Sequence, residues 1–193
     1  SFTLFPYTTL FRSSQTTDSE GNTTLVMRLN TNIDDCYLDF VYTLPADDYM
    51  VGMSIQPRNM QLALAQNMSS VEMQWNQSIP QQEKGRKFEE KYAQLQYMFI
   101  GGEIEKLSEM KSDRANESAR LKWIAYKDQF FSTVMIAEEA FESTTMESTP
   151  LNQHSRYIKE YKTNTTLSSR AYRSALTSRS ASASSMALSV SST

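Results

Sequence analysis

His154 is the sole histidine of the chain, and that alone narrows the chemistry available. It lies in the polar stretch LNQHSRY, with no Cys or carboxylate at metal-ligand spacing, and reads as a solvated loop residue rather than a ligand or base. The single cysteine, Cys36, forms no internal disulfide and has no His or basic cluster beside it. It therefore reads as a small apolar residue next to a turn, not a reactive thiol. Three carboxylate pairs, Asp34-Asp35, Asp47-Asp48 and Glu138-Glu139, are candidates for acid and base work. Adjacent residues on a strand point to opposite faces, so two such carboxylates cannot face one substrate, and the pairs read as turn markers.

Trp75 and Trp123 are the residues most capable of stacking on a sugar. Both stand among alternating apolar residues, which favours core packing, and Tyr92, Tyr97 and Tyr126 carry the same two readings. Asn22, Asn67, Asn76, Asn116 and Asn164 begin Asn-x-Ser/Thr sequons, a pattern that a Ser/Thr-rich chain produces readily by chance. The residues thus give no catalytic, cofactor-binding or metal site, and no cofactor.

The 193 residues carry a net charge of −3. That argues against a nucleic-acid surface, which needs a clustered basic face to displace counterions from phosphate. No apolar run approaches the roughly 20 residues needed to span a bilayer, and no cationic region precedes an apolar one at the N-terminus. With no initiator Met, the chain is expected to be a fragment.

The ends differ in character from the middle. Ser1 to Ser13 is aromatic-rich and broken at Pro6, and within it TLFPYTTLFRS, Thr3 to Ser13, resembles a translated short-read sequencing adapter. Residues 1–13 are accordingly expected to be appended. Residues 166–193 are dominated by Ser, Ala and Thr, with Arg as the only charged type. They bury too little apolar surface to offset ordering entropy, and read as a disordered or frame-shifted tail.

Between these ends the hydrophobic period is mostly two. Leu25–Leu29 is expected as a strand after a Gly21-Asn22 turn, and Tyr37–Leu44 and Tyr49–Gln56 as a hairpin about Pro45–Asp48, ended by Pro57 or meeting a sheet edge there. Asn59–Met68 suits a strand or a short helix, with strand preferred. Val71–Ile79 alternates clearly. Gln81–Lys91 reads as a charged surface connection, Tyr92–Ile100 as a strand closed by Gly101-Gly102, and Glu103–Met110 as its return. Lys111–Arg120 reads as a loop or short helix. The densest apolar run, Leu121–Phe141, has helical as well as strand spacing, but its aromatic and β-branched content favours strands at Leu121–Tyr126 and Ser132–Ala137, with Trp123, Phe130 and Phe131 inside. Tyr157–Thr163 would add another. Many short strands separated by turn chemistry, with little helix, predict an all-β sandwich.

LKWIAYKDQFFSTVMIAEEAF, together with DFVYTLPADDYMV (Asp39 to Val51) and WNQSIPQQEKGR (Trp75 to Arg86), resembles the large periplasmic domain of YidC-type membrane protein insertases, in particular the Bacteroidetes form. The resemblance covers roughly residues 19–165 and rests on structural segments. It implies a twisted β-sandwich of the supersandwich, mutarotase-like type, here a partial domain over 14–165, on the periplasmic face of the bacterial inner membrane. It further implies a noncatalytic role in an insertase and chaperone, with Sec translocon components and nascent membrane proteins as partners. Membrane association would come through transmembrane segments not present in this chain. The competing reading is a carbohydrate-binding or mutarotase-like sandwich, which requires Trp75 or Trp123 to be exposed among polar groups.

Overall fold

A computed structural model describes residues 11–63, 71–167 and 184–192. The chain divides into two compact units, one built from residues 1–69 with 170–185 and the other from 70–169 with 186–193.

The first unit is an antiparallel meander of β1 (Phe11–Thr17), β2 (Thr23–Asn30), β3 (Tyr37–Leu44) and β4 (Met50–Arg58). Asp18 organises the β1–β2 turn: its Oδ1 accepts the N–H groups of Glu20 and Asn22, and Gly21 takes the left-handed φ of 88° that the turn needs. Register follows the hydrophobic pattern. Leu25, Met27 and Leu29 stand opposite Tyr42, Phe40 and Leu38, which in turn meet Met53, Ile55 and Pro57, so one face is apolar across three strands. On the other face Arg28 grips Asp39 with two hydrogen bonds of 2.7 Å and stacks over Tyr37.

Two expectations here are corrected. Pro57 does not end its strand, since β4 continues to Arg58. Residues 60–62 form a 3₁₀ turn instead of a strand: Asn59 adopts φ 50° and its side-chain amide donates to Asp35, which turns the chain away from extended pairing. Residues 64–68 of that expected strand lie outside the described residues.

The second unit contains β5 (Val71–Pro80), α1 (Arg86–Tyr92), β6 (Gln94–Phe99), β7 (Ile104–Lys106), β8 (Asp113–Glu117), β9 (Leu121–Lys127), β10 (Phe131–Pro150), β11 (Tyr157–Leu167) and all but the first two residues of β12 (Ser184–Ser192). Its organising element is β10, twenty residues long. The first part of β10 pairs with β9 and with Met186–Ser192 of β12; the last part pairs with β8 and β11. Between them the ladder slips, from Ile136 to Phe141 against β9 and from Glu142 to Thr145 against β11, with Ser143 at φ 43°. Such a bulge bends a strand enough to carry it from one sheet to the next.

The two sheets face each other. Leu95, Tyr97, Ile124, Tyr126 and Met135 line one inner face, held together by register across β6, β9 and β10. Trp75, Ile79, Lys159, Tyr161, Thr163 and Met146 line the other. Each fully buried Leu, Ile or Met stabilises the sandwich by about 1.5–3 kcal/mol. The all-β sandwich with little helix is therefore as the sequence implies.

Four local expectations change in this unit. Gln81–Lys91 is not a plain surface connection: residues 86–92 form α1, whose RKFEEKY sequence has good helix formers following Gly85 at the N-cap. Residues 113–117 of the expected loop pair with β10 as β8. Glu138 and Glu139 mark no turn but stand exposed within β10. Phe131, expected inside, is 46% exposed. Of the residues set aside at the ends, 11–13 belong to β1, 166–167 to β11 and 184–192 to β12, while 1–10 and 168–183 lie outside the described residues.

Candidate functional site

The side chains with catalytic potential are dispersed. His154 is exposed in the loop after β10, its own N–H held by Asn152 Oδ1 at 3.1 Å. Cys36 is buried, with its thiol 3.4 Å from Asn59 O and 3.8 Å from Met60 Sδ, the environment of a packed apolar residue. Asp35 and Asp47 lie in turns, and Asp48 Oδ1 accepts the Met50 N–H. Among the described residues no three His, Cys, Asp or Glu side chains converge as a metal site would require.

What the fold does bring together is an aromatic seam between the sheets. Trp75 from β5 stacks on Tyr126 from β9, with centroids 6.5 Å apart at 27°, and Tyr126 meets Tyr161 from β11 at 5.8 Å. The Tyr126 hydroxyl donates to Thr163 Oγ1 at 2.7 Å, and Trp75 Nε1–H donates to Gln77 Oε1 at 3.3 Å. Burial drives the Tyr126 and Tyr161 hydroxyls well above the ordinary tyrosine range. Tyr97 is raised by burial and by the carboxylates of Glu117 and Glu105, which accept hydrogen bonds from its hydroxyl. Trp75 thus uses its ring within the sandwich, whereas Trp123, expected inside, is half-buried on β9 and alternates with the inward Ile124 and Tyr126. Tyr97 and Tyr126 are core residues, whereas Tyr92 is 47% exposed.

The polar groups that matter most structurally escaped the sequence reading. Arg86 is buried at the start of α1; its Nη1 donates to Ser155 O (2.9 Å), its Nη2 to Leu151 O (2.9 Å) and Tyr157 O (3.0 Å), and its Nε to Glu90 Oε1 (2.7 Å). Glu89 is buried on the same helix and accepts the N–H groups of Gln82 and Glu83. Lys159 is fully buried on β11, and its Nζ donates to Ala93 O at 2.6 Å and Glu109 O at 2.7 Å. Burial lowers its pKa to about 8, against the opposing pull of Glu109 and Glu90. One signal for Lys159 was present: its position shares the inward period of Tyr161, Thr163 and Thr165. Buried ions are costly unless fully hydrogen-bonded, and here they hold α1 and two loops against β11.

Comparison with known proteins decides the family. The family model described as the YidC periplasmic domain matches residues 3–179. This chain belongs to the YidC periplasmic domain family. It is 49% identical over 142 residues to the membrane protein insertase YidC of Azobacteroides pseudotrichonymphae, covering 74% of this chain and 23% of that protein. It is similar as well to the proteins of that name from Parabacteroides distasonis, at 46% over 149 residues (76% and 23%), and Porphyromonas gingivalis, at 32% over 142 residues (73% and 22%). The chain spans less than a quarter of the length of these relatives. The resemblance to the Bacteroidetes form of the YidC periplasmic domain is thereby borne out. No helix among the described residues is long and apolar enough to cross a membrane. In this YidC periplasmic domain β5 and β7 each have one ladder partner among the described residues, and apolar side chains such as Phe88 and Met110 are exposed.

Proposed function

We propose that the chain is a noncatalytic periplasmic part of a membrane protein insertase, held on the periplasmic face of the bacterial inner membrane, where it assists insertion and folding of inner-membrane proteins. The observation that carries this reading is the family match across residues 3–179, in a chain whose buried Arg86 and Lys159 serve its own packing. Its partners are nascent membrane proteins and components of the Sec translocon, met through exposed strand edges, which can pair with an extended segment by backbone hydrogen bonds. Nucleic acid is not among them. Residues 14–165 are proposed to carry the domain, with 1–13 appended and 166–193 a low-complexity tail; the surrounding gene sequence tests both boundaries.

The test is a chimaera. Placed in a YidC relative in exchange for that protein's matching segment, the chain should support insertion of membrane proteins, while the 193-residue polypeptide alone, added to liposomes, should insert none. Insertion by the isolated polypeptide, or a folded chimaera without activity where the relative itself is active, would overturn the reading.

A further inference from the structure

The exposed face of α1 differs from the other exposed apolar sites of the chain. Phe88 and Tyr92 stand one helical turn apart, in ring contact at 4.9 Å, and are 52% and 47% exposed. Lys87 and Lys91 occupy the neighbouring exposed positions of the same helix. The loop after β7 adds Met110, 72% exposed, and the exposed Lys111. That loop is fixed beside the helix end, because one ammonium group, Lys159 Nζ, bonds both Ala93 O and Glu109 O, and Gln94 donates to the Glu109 carboxylate.

Charge separates this face from the rest. None of Lys87, Lys91 and Lys111 has an ion-pair partner among the described residues, and the nearby acids are engaged, Glu90 with Arg86 and Glu109 with Lys106. Phe88 and Met110 adjoin acids in sequence as well, but Glu89, Glu90 and Glu109 are engaged by backbone N–H groups, Arg86 and Lys106. Tyr49 and Met50, by contrast, follow the exposed Asp47 and Asp48, and Ile100 and Ile104 flank or adjoin the exposed Glu103 and Glu105. In a chain of net charge −3, three unpaired lysines around two aromatic rings and a methionine are a local exception. Aromatic rings favour the boundary between headgroups and acyl chains, and lysines favour anionic headgroups.

We propose that the α1 face, Lys87, Phe88, Lys91, Tyr92, Met110 and Lys111, docks on an anionic lipid headgroup surface. The lysines meet the phosphates, and Phe88, Tyr92 and Met110 enter the interfacial layer. The inference stands on this face and not on the insertase reading, since a chain that failed to support insertion would still bind vesicles by it.

The experiment is cosedimentation of the 193-residue chain with vesicles of equal parts phosphatidylglycerol and phosphatidylethanolamine, against vesicles of phosphatidylcholine alone. Binding is expected only to the anionic vesicles, and it should weaken sharply between about 0.1 M and about 1 M salt as the screening length falls from about 10 Å to about 3 Å. Each lysine is expected to contribute about fivefold, so K87Q/K91Q/K111Q should lose on the order of a hundredfold. F88S should lose on the order of tenfold, and K162Q, an exposed lysine on β11, should bind as the parent does. Three results would overturn the proposal: no preference for anionic vesicles, equal binding by the parent and the triple variant, or retention by an immobilised acidic polypeptide without vesicle binding. The salt series on the parent chain remains decisive even if a variant fails to fold.

Discussion

Replacing Lys159 with Met should change the pH dependence of stability more than its value at neutral pH. The Lys159 ammonium is fully buried and its pKa is lowered to about 8, from an ordinary value of 10.5. Between these values the unfolded chain binds a proton that the folded chain does not, so stability rises with pH across that window. The gap, at about 1.4 kcal/mol per pH unit, amounts to roughly 3 kcal/mol in total. From about pH 10 the opposite linkage sets in. Tyr97, Tyr126 and Tyr161 are held protonated in the fold, while their unfolded counterparts ionise near 10, so stability falls as pH rises further. The parent is therefore expected to gain about 1 kcal/mol from pH 8 to pH 10, roughly 2 kcal/mol from Lys159 less roughly 1 kcal/mol from the three tyrosines, and then to lose stability. Lys159→Met removes the gain and keeps the later loss. At pH 7 two effects oppose: the variant leaves Ala93 O and Glu109 O without their donor, at about 1–3 kcal/mol each, but no longer buries a charge. Urea denaturation of both proteins at pH 7, 8, 9 and 10, followed by far-ultraviolet circular dichroism, measures the difference directly. Parallel stability curves for the two proteins from pH 8 to pH 10 would refute the assignment of a buried, charge-penalised Lys159.

Three further outcomes follow from the packing. Tyr126→Phe removes the 2.7 Å bond to Thr163 inside the sandwich and should lower stability by about 1–2 kcal/mol in thermal melts, with the seam otherwise intact. Arg86→Met leaves Leu151 O, Ser155 O and Tyr157 O without their donor and should cost about 3 kcal/mol or more, whereas Arg28→Met, at a side chain 38% exposed, should cost about 1 kcal/mol; comparable losses would contradict the buried role of Arg86. Deletion of residues 1–13 removes the register pairs of Phe11, Arg12 and Ser13 with Leu29, Arg28 and Met27 and nothing from the second unit, so hydrogen exchange at Ile124, Tyr126 and Tyr161 should be unchanged.

The strands read correctly are those in which period two coincides with burial. Tyr37–Leu44 appears with the same bounds as β3, and Val71–Ile79 is β5 short of one residue, because apolar and polar side chains alternate along each. The misreadings share a cause. In β10 the inward positions after Phe141 include Thr144 and Ser148, so the hydrophobic signal fades while the ladder continues; Thr144 is accommodated by a 2.7 Å hydroxyl contact with Thr165, twenty-one residues away. In α1, Arg86 and Glu89 looked like solvated charges; the burial of Arg86 depends on carbonyls of Leu151, Ser155 and Tyr157, distant in sequence, and that of Glu89 on the nearby amides of Gln82 and Glu83.

By itself the sequence determined the all-β class, the hairpin about Pro45–Asp48 and, through three ordered segments, the family. Local alternation and turn chemistry suffice for the first two, since they depend on neighbours a few residues apart. Tertiary structure alone decided that β10 serves both sheets, that Lys159 and Arg86 hold the helix and loops in place, and that Phe88 and Tyr92 meet in ring contact while remaining exposed. The first two depend on partners brought together across long stretches of chain, where the net cost or gain of a polar group is set by what surrounds it and not by its own type.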